Sequence, residues 1–324
     1  MNRIVIRYIL FALFLTMQTI ALAQHEMKRK GIISPLPTGP TPSVLISSKE
    51  DSVDKVMLRI QYHVEYKEAI EDKIRKKDVQ VLDIGQNMAT YYRNPIVYSY
   101  DHLSPNLLQA ASLNKDTLSK ANRLAFSKSR IYGYPYSFLI YRNYPQEGIQ
   151  SCCYSLTLGG IMVSGNNSVG NFDFYYTETL NTPQWQLLLA DSTVCDYPCH
   201  KAQTDFCGRR WTVWYSEELP YQEGPWKLCG LPGIILKAED SKGEYCFNAI
   251  EVLQPSDRII ASPEMEKFYH KSTRKRVYET MVMSFKNPVA MMSQMFGGAI
   301  VEAMQQDMGF QNDNRTPCIL ETGE

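Results

Sequence analysis

Apolar and polar residues alternate along much of this chain. Leu58, Ile60, Tyr62, Val64 and Tyr66 interleave with Arg59, Gln61, His63 and Glu65, which predicts a half-buried strand with one wet face over residues 55–66. A second strand over 79–84 ends at Gly85, and a meander continues through 89–92. Further strands are expected over 136–141, 150–158, 161–163, 172–177, 185–190 and 209–215, with turns such as Gly159-Gly160 and Gly165-Asn166-Asn167 between them.

The densest punctuation lies within 224–252. Gly224-Pro225 breaks the chain, and Gly230-Leu231-Pro232-Gly233 follows. Proline presets the second position of a type II turn and glycine supplies positive φ at the third, so Gly233 is expected in the left-handed region. Ile234-Ile235-Leu236 then reads as a deeply buried strand. Asp240-Ser241-Lys242-Gly243 is turn chemistry, and Tyr245, Phe247 and Ala249 complete a hairpin.

Helical spacing appears in three places. Leu107, Leu108, Ala111, Leu118 and Ala121 predict a helical insertion over 103–126, and Phe268, Val277 and Met281 predict a helix over 264–285. Lys271, Arg274, Lys275 and Arg276 within it read as a solvated face. The third helix, 289–308, is Met-rich, carries Ser293 and Gln294 and is interrupted by Gly297-Gly298, which favours packing over membrane insertion. The expected fold is mainly β (α+β): one large antiparallel, strongly curved sheet with a helical insertion and C-terminal helices.

The N-terminus changes the picture. Arg3 and Arg7, an apolar run over 8–20 and Ala21-Leu22-Ala23 before Gln24 form the pattern of a signal peptide over 1–23, cleaved after Ala23. The expected destination is periplasmic or secreted. Residues 24–52, with Pro35, Pro37, Pro40 and Pro42, read as an extended leader, and 53–324 as a single β-rich domain. Lys+Arg 34 balances Asp+Glu 34, so no global field recruits nucleic acid or anionic lipid, and no stable membrane span is expected.

Eight cysteines behind a secretory leader make Cys152, Cys153, Cys195, Cys199, Cys207, Cys229, Cys246 and Cys318 disulfide candidates. A Cys207–Cys229 bridge is expected if their strands run as antiparallel neighbours. Cys195-Asp196-Tyr197-Pro198-Cys199-His200, with Cys207, also invites a zinc or covalent-haem reading. The haem motif has one residue fewer between its cysteines, and zinc needs thiolates kept reduced, so structural bridges are preferred and no cofactor is expected. The chain lacks a Gly-x-Ser-x-Gly elbow, a His-Glu-x-x-His pair, a Walker loop and a dinucleotide fingerprint. Asp240 and Glu244 need no catalytic role, because turn chemistry accounts for them.

The ordered series Cys199-His200-Lys201-Ala202, Phe206-Cys207-Gly208-Arg209, Trp214-Tyr215, Gly224-Pro225-Trp226-Lys227, Gly230-Leu231-Pro232-Gly233-Ile234-Ile235 and Thr316-Pro317-Cys318-Ile319-Leu320-Glu321 resembles the GLPGLI family, envelope proteins of Bacteroidota with no established activity. Two residues depart from its pattern: Cys207 stands where the family usually has Arg, and Ile234 where it has Leu. The resemblance implies an extracytoplasmic protein and no reaction. Arg209, Arg210, Trp214, Trp226 and Lys227 are the candidate ligand-binding residues, since rings beside cations suit sugars or anionic groups. Non-enzymatic binding of an envelope partner or a small amphiphilic ligand is the leading expectation. A secreted hydrolase with a dispersed site, and a metal or haem carrier at Cys195–Cys207, are the alternatives.

Overall fold

The computed structural model describes residues 52–93, 136–158, 161–162, 173–255, 258–262, 265–296, 298, 302 and 312–321. The expected signal peptide, nearly all of the expected Pro-rich leader, the helical insertion expected over 103–126 and the turns expected at 159–160 and 165–167 lie outside them.

The strands in chain order are β1 (Ser52–Lys55), β2 (Leu58–Tyr66), β3 (Lys76–Ile84), β4 (Ala89–Arg93), β5 (Tyr136–Arg142), β6 (Ile149–Leu158), β7 (Ile161–Met162), β8 (Asp173–Thr179), β9 (Gln186–Val194), β10 (Tyr197–Phe206), β11 (Arg209–Ser216), β12 (Ile234–Asp240), β13 (Tyr245–Leu253), β14 (Ile259–Ala261) and β15 (His270–Lys271). The helices are α1 (Met265–Phe268), α2 (Arg274–Lys286) and α3 (Pro288–Phe296). Thirteen strands form one sheet in the order β15-β8-β6-β5-β4-β3-β2-β13-β12-β11-β10-β9, with β7 paired to β6. β1 and β14 form a separate pair.

The expected fold is corrected on two counts. The sheet is mixed rather than antiparallel, because β15 lies parallel to β8. It is also neither closed nor strongly curled, since β15 and β9 stand at opposite ends of the strand order. An amphipathic sheet must bury its apolar face against something. Here Leu219, Trp226, Leu228 and Leu231 from the β11–β12 connection, Val277 and Met281 from α2, and Cys318 and Leu320 from the C-terminal tail join the same core as the strand residues. That cover removes the need for the sheet to close on itself.

Local readings are corrected in the same way. The helix expected over 264–285 is broken, because His270–Lys271 bonds to β8 as a strand and Thr273 starts a new helix, its side chain accepting from the Arg276 N–H. β2 is wet on one face only from His63 onward: Arg59 and Gln61 are buried. Arg59 Nε donates to Asp83 at 2.6 Å, its Nη2 donates to the Tyr92 hydroxyl at 3.0 Å, and Gln61 donates to Glu251 at 2.5 Å. The left-handed glycine of the Gly-Leu-Pro-Gly segment is Gly230, at φ 89°, and Gly233 is not left-handed. Gly233 is required for closeness instead, since a Cβ there would stand 2.0 Å from the Ser216 carbonyl oxygen.

The disulfide expectation is also corrected, because all eight cysteines are free thiols. For Cys207 and Cys229 the register gives the reason. β11 pairs with β12 so that Ser216 faces Ile234 and Trp211 faces Asp240. Cys207 therefore precedes one end of β11 while Cys229 precedes the part of β12 that faces the other.

Candidate functional site

β11 and the connection that follows it carry most of the motif residues, and their side chains do different jobs. Alternation along β11 buries Arg209, Trp211, Val213 and Tyr215 and leaves Arg210 exposed. Arg209 Nη1 donates to Asp240 at 2.7 Å and to Glu244 at 2.6 Å, while Nε and Nη2 donate to the carbonyls of Leu320 at 3.0 Å and Ile319 at 2.7 Å. Asp240 in turn accepts from the N–H groups of Glu244 and Tyr245. Asp240 and Glu244 thus form the seat of a cation that holds the tail. Burial tends to raise the Glu244 carboxyl, but the hydrogen bond and charge of Arg209 outweigh it and leave it below the ordinary glutamate value.

The Gly224-Pro225-Trp226-Lys227 loop is held from beneath by Arg142 on β5. Its guanidinium donates to the carbonyls of Gly224, at 2.8 Å, and Trp226, and is ion-paired with Glu223. Trp226 packs 5.8 Å from Trp211 and 5.9 Å from Phe206, ring centroid to centroid. It is core, as is the Arg209 guanidinium.

Lys227 leaves the same loop in the opposite role, as a buried ammonium between two acids. Its Nζ donates to Glu178 Oε1 at 2.7 Å and to the Tyr176 hydroxyl at 3.2 Å, and it is ion-paired with Glu321 Oε1. Burial alone would lower its pKa, but the acidic surroundings, Glu321 and Glu178 among them, keep it well above the ordinary lysine value. Arg274, the first residue of α2, stands over the pair with Nη1 3.9 Å from Glu178 and Nε 3.8 Å from Glu321. These two cations and two carboxylates balance. Nearby thiols stay protonated: burial pushes Cys152 up to about 12, and burial together with Glu321 pushes Cys207 up to about 12. Neither is an activated nucleophile at neutral pH.

Glu321 and Arg274 also line a groove of about 750 Å³ between α2 and the tail. Its apolar lining is Tyr278, Val282, Met283 and Ile319; Lys275 stands at the Arg274 end, Glu279 between the ends, and Lys286 with Asn287 at the other. Helical spacing puts 274, 278 and 282 on one flank of α2, while Val277, Met281 and Ser284 face the sheet.

The candidate ligand-binding residues are therefore not one surface. Arg209 and Trp226 are core, Arg210 pairs with Asp205 at 2.9 Å in solvent, and Trp214 lies under Lys201, 5.4 Å from its Nζ. Only Lys227 touches the groove's charge network. Sequence reasoning missed Glu178, Arg274 as a ligand-facing residue, Tyr278 and Glu321; the closing Ile-Leu-Glu of the motif was the one available signal.

The Cys195–Cys207 cluster does not assemble. β10 separates Cys199 from Cys207 by roughly 26 Å at strand rise, and Cys195 Sγ lies 2.9 Å from the Ala249 carbonyl oxygen. Among the described residues no group of three or more His, Cys, Asp or Glu is poised to hold a metal ion. Among them, too, no helix is long and apolar enough to cross a membrane.

No family model matches the chain, and no curated protein matches it. Two solved structures of PNGF-II are similar to it: the C2 form at 13% identity and TM-score 0.42, the P21 form at 14% and 0.43, each over 70% of this chain. The chain spans about a third of their length, 33% and 34%.

Proposed function

We propose that this chain is a GLPGLI-like extracytoplasmic protein that binds a small amphiphilic ligand in the groove between α2 and the tail, without chemical turnover. The observation that carries the reading is the groove's composition: an apolar stretch of Val282, Met283 and Ile319 flanked by charged residues, Arg274, Lys275 and Lys286 with Glu279 and Glu321. A concave apolar surface with a few polar groups at its margin is the usual form of a ligand site. Glu178 and Glu321 are engaged with cations, which favours binding over carboxylate catalysis. The leader pattern supports export with Gln24 as the mature N-terminus.

The test is displacement of dansyl-undecanoic acid from the mature protein. Val282→Arg should weaken binding at least tenfold and leave thermal unfolding unchanged, because Val282 is only half-buried. Undiminished binding in that variant removes the groove from the reading.

A second reading, docking of an envelope protein by strand addition, is favoured by β9. Among the described residues it ends the strand order, with Leu187 and Leu189 exposed, and an open strand edge is a template for another strand.

A further inference from the structure

The groove contains a buried carboxylate whose bonding is incomplete. Glu321 is 6% exposed and neither of its oxygens accepts a hydrogen bond: Oε1 is held as the ion-pair partner of Lys227, and Oε2 has no such close cation. The nearest cationic partner of Oε2 is Arg274 Nε at 3.8 Å, an ion-pair distance beyond hydrogen-bond reach. A buried carboxylate oxygen without a donor is costly, and a ligand that brings one gains that difference. Beside it, the Arg274 side chain is 39% exposed and sits at ion-pair distance from both acids. Its guanidinium offers five N–H donors in a planar fork suited to an anion. Lys275 is exposed next to it, at the start of α2, where the helix dipole also favours negative charge.

Position, rather than total charge, selects among ligands. Lys227 and Arg274 pair with Glu178 and Glu321, while Lys275, Glu279 and Lys286 also line the groove. A ligand bearing only an anion would leave Glu321 Oε2 without a donor, and one bearing only an ammonium would leave Arg274 and Lys275 without an anion. A ligand bearing both meets each need.

Building on the amphiphile reading, we infer that the groove recognises a zwitterionic head on an apolar body: an ammonium donating to Glu321 Oε2, a neighbouring carboxylate or phosphate on Arg274 and Lys275, and the apolar part along Tyr278, Val282 and Ile319. A free apolar α-amino acid and a phosphoethanolamine lipid both present this chemistry.

Calorimetric titration of the mature protein tests it with leucine, N-acetylleucine, leucinamide and decanoate, and with vesicles of phosphatidylethanolamine or phosphatidylglycerol. Saturable binding is expected for leucine, for phosphatidylethanolamine vesicles, or for both, and whichever binds identifies the source of the head. Removing the ammonium (N-acetylleucine, phosphatidylglycerol) or the anion (leucinamide) should cost at least tenfold in affinity. Arg274→Gln should cost as much toward the zwitterion while the protein still unfolds cooperatively with only a small fall in midpoint, Arg274 being a partly exposed partner at ion-pair distance. It serves where Glu321→Gln fails to fold because Lys227 loses its counter-charge. Decanoate binding, with no zwitterion bound more tightly than its single-charge analogue, overturns the zwitterion inference and leaves the amphiphile reading standing. Saturable binding by none of these probes overturns both.

Discussion

At the scale of single residues, Gly233 marks the difference between a turn signal and its tertiary use. Pro-Gly suggested positive φ, and the left-handed glycine is Gly230 instead. Gly233 is held by the Ser216 backbone, whose carbonyl oxygen would lie 2.0 Å from any Cβ. Backbone cannot swing aside as a flexible side chain can. Gly233→Ala is therefore expected to destabilise by about 1–3 kcal/mol or more, the range for overpacked sites. Urea denaturation checks it, and a midpoint equal to wild type would refute the close-approach account. Lys227 and Arg209 make the same point chemically. Arg209 was expected at a ligand surface, but it is buried, and its partners Asp240, Glu244 and the tail carbonyls come from 31 to 111 residues away.

Among elements, the hairpin of β12 and β13 was legible because its apolar run is short and β-branched and its turn chemistry sharp. β10 was not read as a strand. Its inward positions between Cys199 and Phe206 are Ala202 and Thr204, too small and polar to produce a hydrophobic alternation. The single helix expected over 264–285 failed for a different reason: a two-residue strand pairing with β8 outcompeted helical continuity at His270–Lys271. Among the described residues, β9 ends the strand order opposite β15. Leu189 lies on its open edge and is fully exposed, so Leu189→Lys should change stability by no more than about 0.5 kcal/mol. It should also lower self-association at high concentration, as edge charges do in natural sheets. Sedimentation velocity of both proteins measures this, and identical association would show that the edge takes no strand from another copy.

Across the whole molecule, the tail crosses from outside the strand order to tie β11, the β12–β13 turn and the Lys227 loop together. Arg209 is the knot. Its replacement by Gln would leave Asp240 and Glu244 as buried, uncompensated carboxylates, a change on the order of 3–5 kcal/mol. The pH dependence follows from Glu244, whose carboxyl is held below its ordinary value in the fold. A depressed folded value contributes stability that is complete above the ordinary glutamate range and is lost as pH falls through that range to the folded value. Acid should therefore weaken the wild-type protein, and Glu244→Gln should flatten the decline. Glu223 works in the opposite direction, because its burial raises its carboxyl despite Arg142, so the comparison must be between variants rather than on the absolute curve. Denaturant midpoints across an acid pH series provide the measurement, and parallel curves for wild type and Glu244→Gln would exclude the linkage.

The sequence alone determined the kind of object this is: β-rich, with strands marked by alternation and a hairpin marked by turn residues, because those signals are local and repeat every two residues. It also marked Lys227, Arg209 and Glu321 as members of one ordered motif series without saying what they touch. Their partners were decided only by tertiary structure. Which strands lie at the edges, whether the sheet closes, whether cysteines meet, and that Glu321 comes to rest between Lys227 and Arg274 beside an apolar groove all depend on strand order and register. Those bring together side chains far apart in the chain, and no short-range periodicity encodes them.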